Sequence, residues 1–421
     1  MLGPSEAAGN ARRLVRPSRA DRGRCWLFAA LEAGLCVAAL LFFPLLVLAP
    51  RGIAPLASVT GLLGVGLVYA KSRHSLFEHL LSVPAGILIG LTLWGALSAL
   101  WSLDPSHSLL QSARFAGLLI VAAMAMAAAA LVSAPRRLTA LMLAGFILAI
   151  AMVMLDLATS GSLSKNFSDR VYQPAWLNQA SDAFAILLLP TAAILAASGY
   201  GLAGLLFAVL SATTIFSLAG TAAKIALAAA IPIALLCYYW RAPVARVAAV
   251  LSVLVVITAP LTFARIDQVS GMTQVADGVK FSAAHRLLIW SFVGDHIAEH
   301  PLRGWGLEAS RAIPGGSEPI RTDQTWLPLH PHNAPLQVWL ELGVPGAVLF
   351  ALLGGWFWLA VGSIEWPRLY AAAACGALTA AFVASTATYG IWQEWWEGTL
   401  SVALFLILVM ARVAATGAKS C

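Results

Sequence analysis

The chain has 421 residues, of which 60% are hydrophobic and only 11% are charged. This composition excludes a set of soluble domains, which would need far more charged surface, and favours a single membrane domain. The formal net charge of +7 does not indicate nucleic-acid binding, because six arginines crowd positions 12 to 24, just before the first apolar run. Such a cluster is typical of a cytoplasmic anchor.

Apolar runs predict an all-α polytopic membrane protein with about twelve transmembrane helices, since each run can cross about 30 Å of hydrocarbon. We assign residues 1–25 to a basic cytoplasmic N-terminal tail, 26–263 to spans one to nine, 264–335 to a large loop, 336–415 to spans ten to twelve, and 416–421 to a cytoplasmic C-terminal tail. The predicted spans are 26–48, 54–70, 79–101, 110–132, 137–159, 178–198, 200–218, 222–240, 243–263, 336–362, 369–389 and 396–415.

Basic residues set the predicted orientation. The termini, short loops and bordering span ends on the N-terminal side carry fifteen lysines and arginines, whereas those opposite carry five. Because basic residues are retained in the cytoplasm, both termini are predicted to be cytoplasmic. By parity, the loop 264–335 is predicted to lie outside the cytoplasm.

The loop 264–335 is the only long connection between predicted spans, and it holds five of the eight histidines. Long loops in compact proteins are usually functional. Apolar side chains recur at helical spacing within residues 281–300, which predicts an amphipathic helix on the membrane surface. These side chains are Leu287, Trp290, Val293 and Ile297. Pro301 and the Gly304-Trp305-Gly306 turn are predicted to end the helix.

The junction of this loop with the tenth span supplies a candidate base. Asn333 is predicted to cap the helix, and Pro335 suits its first turn. His332 then precedes a helix N-terminus, whose positive end disfavours a protonated ring. A neutral imidazole suits a general base for an alcohol, although His332 could instead only satisfy backbone groups. Gln337 and Glu341, one turn apart, are predicted to face the bundle interior and orient the loop.

Three cations are predicted to face the same compartment as His332. Arg286 lies on the surface helix, Lys224 begins the eighth span and Arg265 ends the ninth. Each offers charge-assisted hydrogen bonds, so together they could bind a diphosphate. Taken singly, Arg286 could instead bind lipid phosphate, and the other two could mark the ends of their spans.

A tryptophan-rich segment, 389-YGIWQEWWEG-398, lies between the last two spans. Trp392, Trp395 and Trp396 are interpreted as membrane-interface anchors, with stacking of a sugar ring on one of them as the alternative. Gln393 and two glutamates make this segment more polar than an anchor requires.

One string, 296-HIAEH-300, fits the H-x-x-E-H pattern of a zinc site, with both histidines on one helical face. A histidine-rich loop matches so short a pattern easily by chance, and no third ligand stands out. We therefore expect no metal and no cofactor, with arginine and lysine in the place of a divalent cation. The five cysteines show no metal-binding spacing.

Several motifs together resemble the signature of the O-antigen ligase and polymerase superfamily. In chain order they are 176-WLNQASDAF-184, 285-HRLLIW-290, 301-PLRGWG-306 and 332-HNAPLQVWLELG-343. The predicted supporting residues of the site are Asn178, Trp290, Gly304, Gly306, Asn333, Gln337 and Glu341 from these motifs, and Gln393 from the tryptophan-rich segment. The topology of about twelve spans with one large periplasmic loop adds to the resemblance.

The resemblance implies a glycosyltransferase-C-like fold and an activity. Members transfer a glycan from undecaprenyl diphosphate outside the cytoplasm without a nucleotide sugar or metal, and in the ligase branch the acceptor is the lipid A–core oligosaccharide. It implies that His332 is the general base and that Arg286 binds the diphosphate. Lys224 lies where many relatives carry the arginine of S-x-S-R, but the sequence here is 220-GTAAK-224, and lysine lacks the arginine fork.

Other activities on the same scaffold remain open at this point. An O-antigen polymerase would pass the glycan to a second lipid-linked glycan, and a protein O-oligosaccharyltransferase would pass it to serine or threonine. The ligase is favoured because the loop is modest and no additional extracytoplasmic domain follows it. A transporter or flippase is the alternative of another class, but no internal repeat is evident and the ionisable residues cluster on one side of the membrane.

Overall fold

The computed structural model describes residues 19–71, 82–166, 172–279, 281–321 and 324–417, and most of them are helical. The helices are α1 (Arg19–Leu48), α2 (Ile53–Lys71), α3 (Val83–Ser98), α4 (Pro105–Ala129), α5 (Pro135–Ala158), α6 (Asn178–Ala197), α7 (Gly201–Ser217), α8 (Thr221–Ile257), α9 (Met272–Val279), α10 (Phe281–Glu299), α11 (Ala334–Ser363), α12 (Arg368–Ser385) and α13 (Glu394–Gly417). Two short antiparallel strands, β1 (Pro319–Arg321) and β2 (Gln324–Thr325), lie in the loop. Most of the predicted N-terminal tail, residues 418–421, and the predicted start of the third span at 79–81 lie outside the described residues.

The prediction of an all-α polytopic membrane protein is confirmed. Within the described residues, nine helices are long and apolar enough to cross a membrane, and α3 and α7 are shorter apolar helices. One of the nine, α8, has 37 residues and is broken at Trp240, whose φ of −133° and ψ of 50° are not helical. Pro243 follows and has no N–H to continue the hydrogen-bond ladder.

The two halves of α8 run in opposite directions. Near the start of α11, Trp339 Nε1 donates to Val256 O at 2.8 Å, and near its end Gly362 lies against Ala245. The first half of α8 pairs with α12, and only residues 364–367 join α12 to α11. The contacts between this first half and α12 are Tyr238 with Arg368 and Ala230 with Gly376. The halves therefore match the predicted eighth and ninth spans, and the described residues supply twelve apolar segments.

The predicted start of the fourth span is wrong. That span is predicted at 110–132, but α4 begins at Pro105. The Asp104 side chain accepts a hydrogen bond from His107 N at 3.0 Å, and Pro105 has no N–H to satisfy. An N-cap followed by proline therefore starts the helix five residues before the predicted start of the span.

Two predicted span ends also lie too far along the chain. The ninth span is predicted to end at residue 263, but α8 ends at Ile257 and a 3-10 turn follows at Phe263–Gln268. The eleventh is predicted to end at 389, but α12 ends at Ser385. Residues 386–393 are consequently a connecting segment, which we call the α12–α13 segment.

The amphipathic helix of the loop is present as α10, but its apolar stripe does not face lipid. Val293 and Ile297 are buried against the start of α11, where Leu336 and Leu340 complete the same cluster. The interpretation of this stripe as a membrane-facing surface is therefore wrong, because an apolar face buries itself equally well against protein. Packed in this way, α10 is fixed relative to α11.

A break in α11 locks the loop onto the bundle. Gly343 has a φ of +60° and Pro345 has no N–H, so Glu341 O lacks its helical partner. The Gly304-Trp305-Gly306 turn supplies the missing donors: Trp305 N donates to Leu340 O and Gly306 N to Glu341 O, both at 2.9 Å. In return, Val344 N donates to Pro301 O at 3.0 Å. The turn thus replaces the ladder of α11 at the break.

Gly304→Ala is expected to destabilise the fold. Gly304 has a φ of +68°, and a Cβ there would lie 2.4 Å from the backbone of Glu341. Strained backbone of this kind costs about 1–3 kcal/mol before the clash is added. Thermal unfolding in detergent should show a clear loss of Tm. Gly117→Ala is the control, because its Cβ meets open space and the change should be neutral or slightly stabilising.

Candidate active site

The candidate base lies in a tight turn before α11. His332 has a φ of +56°, a left-handed conformation that is uncommon for non-glycine residues. Trp290 on α10 fixes the turn, because its Nε1 donates to Pro331 O at 2.8 Å. Within the turn, His332 N donates to His330 Nδ1 at 3.2 Å, and the two rings lie 4.3 Å apart. The backbone around His332 is thus held from both sides.

Asn333 is the N-cap of α11, as predicted. Its side chain accepts from Leu336 N at 3.0 Å, and Pro335 occupies the first turn of the helix. His332 therefore directly precedes the N-terminus of α11.

The hydrogen bonds of His332 fix its tautomer. Nδ1 lies 2.5 Å from Thr388 O, and a carbonyl oxygen can only accept, so Nδ1 carries the proton. In the neutral ring the lone pair then lies on Nε2. A free Nε2 lone pair on an oriented ring is what a general base requires.

His332 stays neutral at ordinary pH, although for another reason than the one expected. The pKa of His332 is lowered to about 4, chiefly by burial; the bond to Thr388 opposes this shift, and the nearby charges of Arg286 and His285 add to it. The sequence suggested the helix dipole as the cause, whereas desolvation is the largest effect. The neighbouring His330 is affected more strongly, with burial lowering its pKa to about 2.

Arg286 lies beside this imidazole. Its Nη1 donates to Ala387 O at 2.5 Å. Burial lowers the pKa of Arg286, while Tyr389 and the Asp182 carboxylate favour its charged form. The guanidinium is therefore held in a partly buried place, where a charge acts over a lower dielectric than in water.

Glu341 ties three elements together behind the base. Its carboxylate accepts from Gln337 Nε2 at 3.0 Å on α11, and from Glu308 N at 2.6 Å and Ser310 Oγ at 2.5 Å in the loop. It also accepts from Trp392 Nε1 at 2.7 Å in the α12–α13 segment. Four donors satisfy a fully buried carboxylate, so Glu341 serves to hold the loop and this segment together.

The tryptophans of the α12–α13 region are not interface anchors. Trp392, Trp395 and Trp396 are all buried within the protein, at 4%, 8% and 0% exposure. The interpretation as a membrane belt is wrong for them, because the hydrogen bond of Trp392 and the close packing of its neighbours hold them inside. Gln393 lies at the site, with its Nε2 3.2 Å from His330 Nε2.

Comparison with known proteins supports the same region. A family model described as O-antigen ligase matches residues 205–351. A Rickettsia conorii protein provisionally named a polysaccharide ligase is 38% identical over 133 residues, 31% of this chain and 31% of its own length. A Rickettsia felis protein of the same name is 36% identical over 133 residues, 31% of this chain and 32% of its own length.

Residues 205–351 are therefore similar to the O-antigen ligase family. The chain matches about a third of the length of these curated relatives. The matched segment begins within α7 and ends within α11, so it contains His332, Arg286 and Glu341. The α12–α13 segment and Asn178 lie outside it.

The cations predicted to share the site do not all meet. Arg265 Nη1 forms a surface ion pair with Asp295 Oδ1 at 2.9 Å. Asp295 is nine residues after Arg286 on α10, about 13 Å along the axis and on the opposite face. Lys224 lies in the first turn of α8 and forms no hydrogen bond or ion pair within the part of the chain that the structure describes. Diphosphate roles for Lys224 and Arg265 remain predictions.

Asn178 and the H-x-x-E-H string of residues 296–300 both lie within the described residues. Asn178 begins α6, with Gly220 packed against its side chain. In the string 296–300, His296 Nδ1 bonds Phe292 O at 2.9 Å, the backbone of its own helix. The described residues hold no group of three histidine, cysteine or acidic side chains able to bind a metal ion.

Sequence reasoning missed Asp182, Tyr389 and the two carbonyls of the α12–α13 segment. Asp182 carried a readable signal, since a carboxylate inside an apolar span is costly and marks a functional position by default. The carbonyls of Ala387 and Thr388 carried none, because any residue supplies one. Their importance depends on which segment the fold brings to the base.

Proposed function

We propose that this protein is an O-antigen ligase. It transfers a polysaccharide from undecaprenyl diphosphate to a hydroxyl of the lipid A–core oligosaccharide, on the periplasmic side of the bacterial inner membrane. The observation that carries the proposal is the neutral His332 ring, whose unprotonated Nε2 is left for a hydroxyl, close to the charge of Arg286. The O-antigen ligase family of residues 205–351 supports the choice of reaction.

The proposed reaction is one displacement. His332 Nε2 takes the proton of the acceptor hydroxyl as that oxygen forms a bond to the anomeric carbon. The bond from this carbon to the phosphate oxygen breaks, and its electron pair leaves with undecaprenyl diphosphate. Attack from the side opposite the leaving group inverts the anomeric configuration.

Arg286 stabilises the leaving diphosphate in this scheme. Negative charge grows on the phosphate oxygens as the bond breaks, and a fixed guanidinium pairs with phosphate through two parallel N–H groups. Lys224 is proposed to add a point charge at the same end of the bundle. Arg265 would first have to leave Asp295, so its contribution is proposed to be the smallest of the three.

The proposal is tested by reconstitution. Purified protein in proteoliposomes is given a lipid-diphosphate glycan with one of three acceptors: lipid A–core, a second lipid-linked glycan, or a serine-containing peptide. Transfer to lipid A–core alone is expected, and NMR of the product should show an inverted linkage. Transfer only to the second or third acceptor would identify a polymerase or a protein glycosyltransferase.

Two further arms complete the reconstitution. Uptake of the glycan lipid without any transfer would favour a transporter. The reaction is expected to proceed unchanged with EDTA. Loss of product only with EDTA would support the hypothesis of a zinc site at residues 296–300. A retained anomeric configuration would exclude the single displacement.

A further inference from the structure

His330 is a buried histidine that the proposed reaction does not use. It is 5% exposed and lies between two parts of the site, the turn before α11 and the α12–α13 segment. Only Pro331 separates it from His332 in the chain. Burial of a polar side chain costs free energy unless its polar atoms have partners, so the contacts of the His330 ring indicate its role.

One ring nitrogen of His330 bonds the backbone of the candidate base. His332 N donates to His330 Nδ1 at 3.2 Å, which joins a side chain to the backbone two residues further along the chain. Asparagine and aspartate side chains form turns of the same kind, in which an oxygen accepts from the N–H two residues on. His330 therefore closes this turn with a nitrogen in the place of that oxygen.

This bond stabilises a backbone conformation that His332 would not otherwise prefer. His332 has a φ of +56°, in the left-handed region that residues with a Cβ rarely adopt. The direction of its ring depends on φ, because rotation about N–Cα moves Cβ relative to the preceding chain. A relaxed turn would carry Nδ1 away from Thr388 O, which is 2.5 Å distant, and would redirect Nε2.

The other side of the His330 ring is fixed by the α12–α13 segment. Gly390 approaches the ring so closely that a Cβ there would lie 3.0 Å from its Cγ and Cδ2. Gln393 Nε2 lies 3.2 Å from His330 Nε2. The segment whose Thr388 carbonyl orients the base therefore also holds His330 in place.

We propose that His330 is a positioning residue, whose Nδ1 holds the left-handed turn of His332 so that the unprotonated Nε2 of the base faces the acceptor hydroxyl. This inference rests on the proposed function, because it assigns a role toward the proton transfer. His330 acts through the backbone of His332 and not on the reacting atoms.

Three variants of His330 separate the bond from the ring. Histidine supplies both a ring and an acceptor, phenylalanine only a ring, asparagine only an acceptor, and alanine neither. Asparagine before Pro331 also favours the start of a turn. Misplacement of a reacting group by about 1 Å can cost about 100-fold. We therefore expect kcat to fall about 10- to 100-fold in His330→Phe and His330→Ala, and to stay near the wild-type value in His330→Asn.

The experiment measures kcat and the donor KM for glycan transfer in proteoliposomes, together with Tm. The donor KM should be unchanged, because Ala387 O and not this turn orients Arg286. The same three substitutions at His300 are the matched controls, since the His300 ring packs against Trp305 with centroids 4.3 Å apart. The His300 variants should keep the wild-type kcat.

Each outcome decides the inference. A low kcat at unchanged donor KM in the two variants that lack an acceptor, with recovery in His330→Asn, supports it. Equal loss in all three variants, a loss that follows the ring, or a lowered Tm with normal kcat overturns it. Should His330→Phe fail to fold, the comparison of His330→Ala with His330→Asn decides alone, since neither has a ring. Absence of transfer by the wild type would instead contradict the proposed function.

Discussion

His332→Asn is expected to lower kcat for glycan transfer by about 10²- to 10⁴-fold, the usual contribution of a general base. Asparagine is the sharper variant for two reasons. It tolerates the left-handed φ of +56° better than alanine does. Its amide N–H can still donate to Thr388 O, so the variant removes the basic nitrogen and keeps the contact that orders the α12–α13 segment.

The measurement is single-turnover transfer in proteoliposomes at saturating donor. His300→Ala serves as the control, because His300 lies in the same loop and packs edge-on against Trp305, with ring centroids 4.3 Å apart. Both variants should insert and unfold like the wild type. Wild-type rates in His332→Asn would remove this histidine from the mechanism.

Replacement of Arg286 is expected to have the second-largest effect. Arg286→Lys keeps the positive charge but loses the planar fork that pairs with phosphate and the geometry of the bond to Ala387 O. Loss of a preorganised group that stabilises developing charge costs about 10²- to 10³-fold in kcat. We expect kcat/KM for the donor to fall in this range for Arg286→Lys and further for Arg286→Gln.

Donor kinetics with inhibition by undecaprenyl diphosphate measure this effect. Arg303→Ala is the matched control, since Arg303 is an exposed arginine of the same loop. It should leave the inhibition constant unchanged. Equal inhibition constants for the wild type and Arg286→Gln would show that the guanidinium does not bind the diphosphate.

The parts of the fold that depend on local sequence could be predicted. Apolar run length predicted the membrane helices, and an Asn-x-Pro signal predicted the cap of α11 at Asn333. The same kind of signal at Asp104 and Pro105 was present but overlooked. The loop helix α10 followed from its apolar period, although the period cannot tell whether protein or lipid covers the stripe.

The environment of the base could not be predicted, because it depends on contacts between distant parts of the chain. Thr388 O reaches His332 across 56 residues, and Ala387 O reaches Arg286 across 101. Every residue has a backbone carbonyl, so no sequence pattern predicts which carbonyls will contact the site. Arg265 is the converse case. Its position at a span end predicted a phosphate-binding cation, whereas the fold pairs it with Asp295.

The central claim is that a neutral His332 accepts the proton of the acceptor hydroxyl, and the pH dependence of kcat/KM tests it most directly. Because burial lowers the pKa of His332 to about 4, the base form persists in mild acid and is lost only as the pH falls through that value. Transfer should stay near its full rate down to about pH 5 and recover when acidified protein is returned to pH 7. A loss centred near pH 6.5, the ordinary value for histidine, would contradict the account.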